Sequence, residues 1–315
     1  MDGILVAGSI IVDRINRISG YPSRGELTKI SSTSRSCGGL VPNVAVDLAR
    51  IAPKIPIKAC GKVGADSDGD YVLSVLENAG VDCSLVVKSP GSVTSFTDVF
   101  SEDAGERTFF CYPGASSEFG ADDIPFDSVG ARLCHLGYFL LLDKIDSGDG
   151  LVILKEMQRR GIETSIDLVT ENSTRYESVI PCLKYTDNLI VNEVEASRLA
   201  GIEYDGSNLP EIMARLRSFG VRKRVIVHEP SQGAVLSENG FTSVPSLSLP
   251  GGWIKGSTGA GDAFCAGALY AIYEGWDDTG LLEFAVRSAA VSLRSEDAVG
   301  AMCSASEIND ICSCF

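Results

Sequence analysis

Between Arg132 and Val227 the chain alternates between two hydrophobic periods, and this alternation restricts its possible folds more than any other feature. Leu133 to Leu142 reads as a strand with its following turn, and Leu151 to Arg160 as a helix. Glu163 to Leu168 reads as a strand, Tyr176 to Tyr185 as a helix, and Asn188 to Val191 and Arg224 to Val227 as further strands. Strands separated by helices pair in parallel, because each connection must cross back over the sheet. Helices then cover both faces, and the strands between them carry near-continuous apolar residues. The segment Gly3 to Asp13 (GILVAGSIIVD) has that character and is expected to form a buried first strand ending in Asp13. Ligands of open α/β sheets gather at strand carboxyl ends. Asp13 is therefore placed either to bond a polar ligand or to cap a turn.

The chain has 315 residues, enough for one large α/β domain. Its hydrophobic content of 44% and charged content of 22% are those of a soluble globular protein. A net charge of −15 argues against nucleic acid or an anionic membrane as partner. Any phosphate site must then be built locally, from backbone amides, a metal ion and a few cationic side chains. No apolar run approaches the roughly 20 residues that span a bilayer. No basic leader precedes the first strand, so the expected compartment is cytoplasmic. The ten cysteines are scattered and are expected to be reduced, with Cys60, Cys111 and Cys134 acting as small hydrophobes in apolar runs. Two histidines leave little for a zinc site, and Cys312-Ser313-Cys314-Phe315 is expected to be a frayed tail.

The stretch Lys255-Gly256-Ser257-Thr258-Gly259-Ala260-Gly261-Asp262 is glycine-rich and runs into an apolar segment, Ala263 to Ile272. Small residues at Ala263, Gly267 and Ala271 lie four apart, on one helix face that can pack closely. The loop is therefore the N-terminus of a buried helix. The N–H groups of Gly259, Ala260 and Gly261 and the helix dipole would favour an anion there. Asp262 is repelled by such an anion. It belongs there if it takes a proton from a hydroxyl that attacks the anion, as in phosphoryl transfer, or if it simply complements the helix dipole.

Other features recur along the chain. Cys37-Gly38-Gly39-Leu40-Val41-Pro42-Asn43 opens a helix on which Val44, Ala45, Leu48 and Ala49 face the core while Asp47 and Arg50 face out. Asn192-Glu193-Val194-Glu195 follows a strand, with the amide and the second carboxylate one turn apart. Residues 14–36 and 93–113 read as two hairpins that pair into a small sheet, joined in the second case by Glu102-Asp103-Ala104-Gly105-Glu106. Phe96, Phe110 and Tyr112 belong to that sheet.

The string Thr-Gly-Ala-Gly-Asp-Ala-Phe-x-Ala-Gly, preceded by Gly-Gly-x-x-x-Asn-x-Ala and Asn-x-x-Glu, resembles the signature of the ribokinase-like (PfkB-type) carbohydrate kinases. The resemblance runs from Asp13 to Ala301. It implies an α/β, three-layer sandwich with a mostly parallel central sheet, formed by residues 1–315 as one domain. The lid would be formed by about 14–36 and 93–113. It implies transfer of the γ-phosphoryl group of ATP to a hydroxyl of a sugar or sugar-like acceptor. Asp262 would be the base, and Gly259, Ala260 and Gly261 the anion site. Asp13, Gly38, Gly39 and Asn43 would hold the acceptor, although Asn43 also suits a helix cap. Thr258 and Gly233 would touch the nucleotide. Asn192 and Glu195 would order Mg²⁺ through water, although the pair also fits a capping box.

The sequence departs from the pattern twice. His228-Glu229-Pro230 replaces a Thr-x-Gly turn that touches phosphates, which takes away an amide donor and adds a negative charge. Gly256 stands where many members carry an Asp that helps hold a monovalent cation, so the carboxylate of a potassium site is missing. Two other readings stay open, a nucleoside kinase of the same family and a sugar-binding regulator with weakened turnover. The resemblance also allows a homodimer through the lid.

Overall fold

The alternation resolves into a nine-stranded sheet flanked by helices, in a computed structural model that describes residues 2–102, 107–171 and 174–315. The chain starts as β1 (Ile4–Gly8), leaves for a second sheet as β2 (Ile11–Ile18) and β3 (Ile30–Gly38), and returns through α1 (Leu40–Ile51). β4 (Ile57–Gly64), α2 (Ser67–Asn78) and β5 (Asp82–Ser89) follow, and β6 (Ser95–Glu102) and β7 (Arg107–Tyr112) revisit the second sheet. Next come β8 (Leu133–Phe139), α3 (Gly150–Arg159), β9 (Glu163–Leu168), α4 (Ile180–Leu183), β10 (Asn188–Asn192), α5 (Glu193–Ala200), α6 (Leu209–Ser218) and β11 (Arg224–Glu229). An antiparallel pair, β12 (Gln232–Ser237) and β13 (Gly240–Pro245), precedes α7 (Ala260–Glu274), α8 (Asp278–Ser292) and α9 (Ala305–Cys312).

The large sheet runs β13-β12-β11-β10-β9-β8-β1-β4-β5, parallel from β11 to β5. Period-two alternation divides β1 between two cores. Ile4 and Val6 join the layer holding α1, α2, α7, α8 and α9, while Leu5 and Ala7 join the layer of α3 to α6. The strand order reverses at β1, which lies between β4 and β8, and a crevice opens beside it, beyond the carboxyl ends of β8, β9, β10 and β11. The second sheet runs β3-β2-β6-β7.

Asp13 does not end the first strand, as the apolar run suggested. The chain breaks at Gly8, whose φ of +141° favours glycine and where a Cβ would lie 2.5 Å from the Gly137 carbonyl oxygen. Asp13 therefore sits on β2, in the second sheet, opposite Ser36 of β3. Asp47 does not face solvent either; it is fully buried on α1. Cys111 is exposed on β7 rather than packed as a small hydrophobe. The C-terminus is not frayed, since Cys312 is buried on α9 and Phe315 meets the edge of Trp253 at 5.1 Å between ring centroids. Residues 103–106, assigned to the turn between β6 and β7, lie outside the described residues. The small face of α7 packs as its spacing implied. A Cβ at Gly267 would lie 2.6 Å from Ser288 Oγ on α8.

Candidate active site

Asp262 sits in the first turn of α7, buried, at the mouth of the crevice. The turn before it is tight. Gly259 has φ +80°, and a Cβ there would lie 2.6 Å from the Ala298 Cβ, so only glycine allows the segment around Ala298 to close on the loop. Gly261 lies against the His228 ring, which a Cβ would approach to 3.2 Å. Of the three amides assigned to an anion, that of Ala260 donates to Ser257 O at 3.3 Å; those of Gly259 and Gly261 donate to no group among the described residues.

Three elements converge on the Asp262 carboxylate. Asn43 of α1 donates from Nδ2 to Oδ2 at 2.8 Å, and the Tyr138 hydroxyl of β8 lies 3.1 and 3.2 Å from the two oxygens. Burial, helped by the charges of Asp167 and Asp13, raises the Asp262 pKa to about 7 against these donors. Tyr138 itself is held at φ 58°, an uncommon conformation for a residue with a side chain. Its amide is anchored to Asp167 Oδ1 at 2.5 Å. Burial and the Asp262 charge push the Tyr138 hydroxyl well above its usual value, so it stays a donor.

The residues expected to hold the acceptor gather near Asp262 and on the small sheet. Asn43 holds Asp262, and its buried Oδ1 has no partner among the described residues. Gly38 makes room for Asp13, since a Cβ there would lie 2.3 Å from the Asp13 carboxylate. Gly39 caps α1 at φ +82°. Burial raises the Asp13 pKa to about 6, against a hydrogen bond from Thr97.

Asn192 and Glu195 form a complete capping box on α5: Glu195 N donates to Asn192 Oδ1 at 2.8 Å, and Asn192 N to Glu195 Oε2 at 3.1 Å. Thr170 joins them, donating to Glu195 Oε1 at 2.8 Å and accepting from Asn192 Nδ2 at 2.9 Å. Burial raises the Glu195 pKa to about 7, against the hydrogen bonds from Thr170 and Asn192. Both residues still line the crevice, together with Tyr138, Asp167, Thr170 and Asp262, in a space of about 290 Å³.

Past the Ala260–Gly261 turn opens a second, more apolar chamber of about 600 Å³, walled by Leu247, Leu249, Ile254, Phe264, Val286 and Leu293. Asn192, His228, Ser257, Ala260 and Gly261 line both chambers. Gly233 lines neither. A Cβ there would meet the Phe264 ring at 3.0 Å, so this glycine packs β12 onto α7. His228 and Glu229 lie on β11 rather than in a turn. Burial lowers the His228 pKa to about 4, which leaves the ring neutral beside Phe264. Burial opposes ionisation of Glu229, but Ser231, Tyr204 and Gln232 donate to it at 2.6, 2.6 and 2.8 Å and hold its pKa below the usual value. Its charge is therefore spread over three donors.

Thr258 Oγ1 accepts from Arg107 Nη1 at 2.7 Å, which ties β7 to the loop before α7. Gly256 lies against the backbone of the following loop, where a Cβ would meet Ser295 O at 2.8 Å and Glu296 O at 3.1 Å. A side chain has no room there.

The sequence characteristic of pfkB family carbohydrate kinases is matched by residues 1–303. The chain belongs to this family. As a carbohydrate kinase it phosphorylates a sugar or sugar-like hydroxyl with ATP as donor. Ribokinase of Schizosaccharomyces pombe is 27% identical over 319 residues, covering 98% of this chain and 97% of its own. The structure of Arabidopsis thaliana ribokinase complexed with ribose and ATP matches with a TM-score of 0.84 at 22% identity, over 98% of each chain. The nucleoside kinase of Methanocaldococcus jannaschii matches with a TM-score of 0.83 at 17% identity, over 100% of this chain and 99% of its own. These likenesses show the ribokinase fold, a mostly parallel sheet between helices with a smaller four-stranded sheet beside it.

Tyr138, Asp167 and Thr170 line the crevice and Arg107 meets Thr258, although no motif in the sequence marks them. Asp167 at a strand carboxyl end was the one available signal. Tyr138 and Arg107 reach the site through tertiary packing that no local motif records.

Proposed function

We propose that Asp262 is the general base that deprotonates the acceptor hydroxyl, with the turn Gly259–Gly261 receiving the transferred phosphoryl group. One observation carries this reading: a buried carboxylate with a pKa near 7 sits within the first turn of a helix whose N-terminus faces the crevice. A base poised near neutrality takes a proton efficiently and can return it after transfer. Asn43 and Tyr138 hold the carboxylate in one orientation, so the acceptor meets it already aligned. Asp13 and the unpartnered Oδ1 of Asn43 are suited to accept hydrogen bonds from other acceptor hydroxyls.

The apolar chamber suits a nucleotide base, and the shared wall of Ala260 and Gly261 suits the phosphates. Thr258, which Arg107 bonds, follows Ser257, a residue that lines both chambers. The donors around Asn192, Glu195 and Thr170 are all oxygens or amide groups, which fits Mg²⁺. The Glu195 oxygens each receive one hydrogen bond and keep further lone pairs, so Glu195 and Asn192 would hold the ion through water. Bound there, Mg²⁺ would offset the negative charge of the triphosphate. The small sheet, with exposed Phe109, Phe110 and Tyr112, is the surface through which two copies would pair.

Asp262→Asn keeps the hydrogen-bonding shape but removes the base. Turnover should fall by roughly 10²–10⁴-fold, with the fold and ATP binding retained. A variant with near-normal turnover would falsify the assignment.

A further inference from the structure

His135 of β8, Asp167 of β9 and Cys265 of α7 present one donor atom each to a common point at the floor of the crevice. The three donor atoms lie within 4.8 Å of one another. His135 Nε2 is 3.4 Å from Asp167 Oδ2 and 3.4 Å from Cys265 Sγ. The N···O separation is longer than a good hydrogen bond, about 2.7–3.2 Å. It matches instead the edge of a tetrahedron around an ion with ligands at about 2.0–2.3 Å, which is roughly 3.3–3.8 Å.

The surroundings orient the donors. His135 Nδ1 is engaged with Ser165 Oγ at 3.0 Å, which turns Nε2 toward the carboxylate and the thiol. The Tyr138 amide occupies Asp167 Oδ1 and leaves Oδ2 for the cluster. Asp167 and Cys265 line the crevice, so a fourth ligand position opens to solvent, while His135 is fully buried behind them.

We propose that His135, Asp167 and Cys265 form a binding site for a borderline divalent cation, Zn²⁺ being the fitting case, and that its occupancy inhibits the kinase. The donor set separates this ion from Mg²⁺, because thiolate and imidazole favour Zn²⁺ while Mg²⁺ prefers oxygen. On binding, the Cys265 thiol releases its proton to solvent and enters as thiolate. Cys265 lies three residues after Asp262 on α7, so an ion there places positive charge close to the base and makes it a weaker proton acceptor, which slows turnover at pH 8, where the base is already ionised without zinc. The pair of histidines in the sequence gave no hint of this, because only one of them contributes and its partners come from other elements.

The test uses the full chain with the two exposed cysteines replaced, Cys111→Ser and Cys314→Ser, so that surface thiols do not bind metal. Titration with Co²⁺ should give one equivalent per chain, the near-ultraviolet band of thiolate ligation and the visible bands of a tetrahedral ion. Zn²⁺ should displace the Co²⁺ and Mg²⁺ should not. Adding Cys265→Ser should abolish the near-ultraviolet band. His135→Gln should weaken Zn²⁺ binding by at least about tenfold, and it serves as the independent check if Cys265→Ser does not fold. No band in the parent, a band that survives Cys265→Ser, or Zn²⁺ binding that is not weakened by His135→Gln overturns the site. The inhibition rests on the assignment of Asp262, whereas the Co²⁺ spectrum reads binding alone. Zinc inhibition, measured against each variant's own zinc-free rate, should be strong in the parent and lost in His135→Gln. Binding without inhibition would keep the site and remove its regulatory role.

Discussion

At the scale of single residues, environment rather than identity distinguishes the acids of this kinase. Asp262 is a buried carboxylate supported by two donors, and its raised pKa predicts a pH profile. With Asp262 as the proposed base, its ionised form is the active one, so kcat/KM should rise with pH through about 7. Tyr138→Phe removes a donor that favours the carboxylate. The Asp262 pKa should climb further and the rising limb should move to higher pH; a limb that stays put or moves down would show that Tyr138 does not support the base. Asp47 has no partner at all on either oxygen among the described residues and is fully buried. Burial and the Asp262 charge raise its pKa well above 3.8, with Arg50 opposing. The folded chain thus binds this proton more tightly than the unfolded chain, and stability is lost as pH rises above about 4. Asp47→Asn cannot ionise and should escape that loss. Its stability advantage over wild type should grow by up to about 1.4 kcal/mol per pH unit above pH 5, as denaturant melts at pH 5 and pH 8 would reveal. Equal slopes for the two proteins would mean that Asp47 finds a partner in solution. The sequence placed Asp47 on the outer face of α1 because a charge at that spacing usually meets water. It could not record that α7 and the loop containing Val299 cover that face, where Arg50 donates to Val299 O.

At the scale of elements, the parallel strands and their helices were legible because their hydrophobic periods are long and regular. The glycine turn that opens α7 was legible because its glycines and Asp262 lie within one short stretch. What escaped were junctions between distant elements. The turn of the chain at Gly8 moved Asp13 from β1 to β2, since a break between two apolar runs looks like one strand when both halves are apolar. The contact from Arg107 to Thr258 spans 151 positions and leaves no local trace. That contact carries a prediction. Arg107 brings a cation from the small sheet to the loop proposed to hold the phosphates, so Arg107→Ala should raise the KM for ATP several-fold and lower kcat, with little change in melting temperature because both partners are exposed. Arg107→Lys should recover only part of the loss, since a single ammonium cannot reproduce the guanidinium fork. A variant with unchanged ATP kinetics would show that the contact has no part in nucleotide binding.

At the scale of the whole molecule, the two sheets are finished differently. The large sheet buries its strands between helices, with β5 and β13 at its edges. The small sheet ends on β7, where every side chain is exposed and where Phe109, Phe110 and Tyr112 are 62%, 57% and 46% accessible. An exposed edge strand with several aromatic residues is costly for an isolated soluble chain, both as apolar surface and as a row of unpaired backbone groups. The chain carries a net charge of −15, which opposes indiscriminate association but is weak against a close apolar contact at physiological salt. A second copy that covers β7 would remove this surface. Sedimentation equilibrium should therefore give twice the chain mass at micromolar concentration. Phe109→Asp together with Phe110→Asp places two charges on the edge, one on each face of the strand, and should shift the equilibrium to monomer without lowering thermal stability of the monomeric core. Arg107 begins the same strand, so loss of pairing should also loosen its contact with Thr258 and raise the KM for ATP in the monomer. A wild-type chain that sediments as a monomer throughout this range would show that no second copy covers β7.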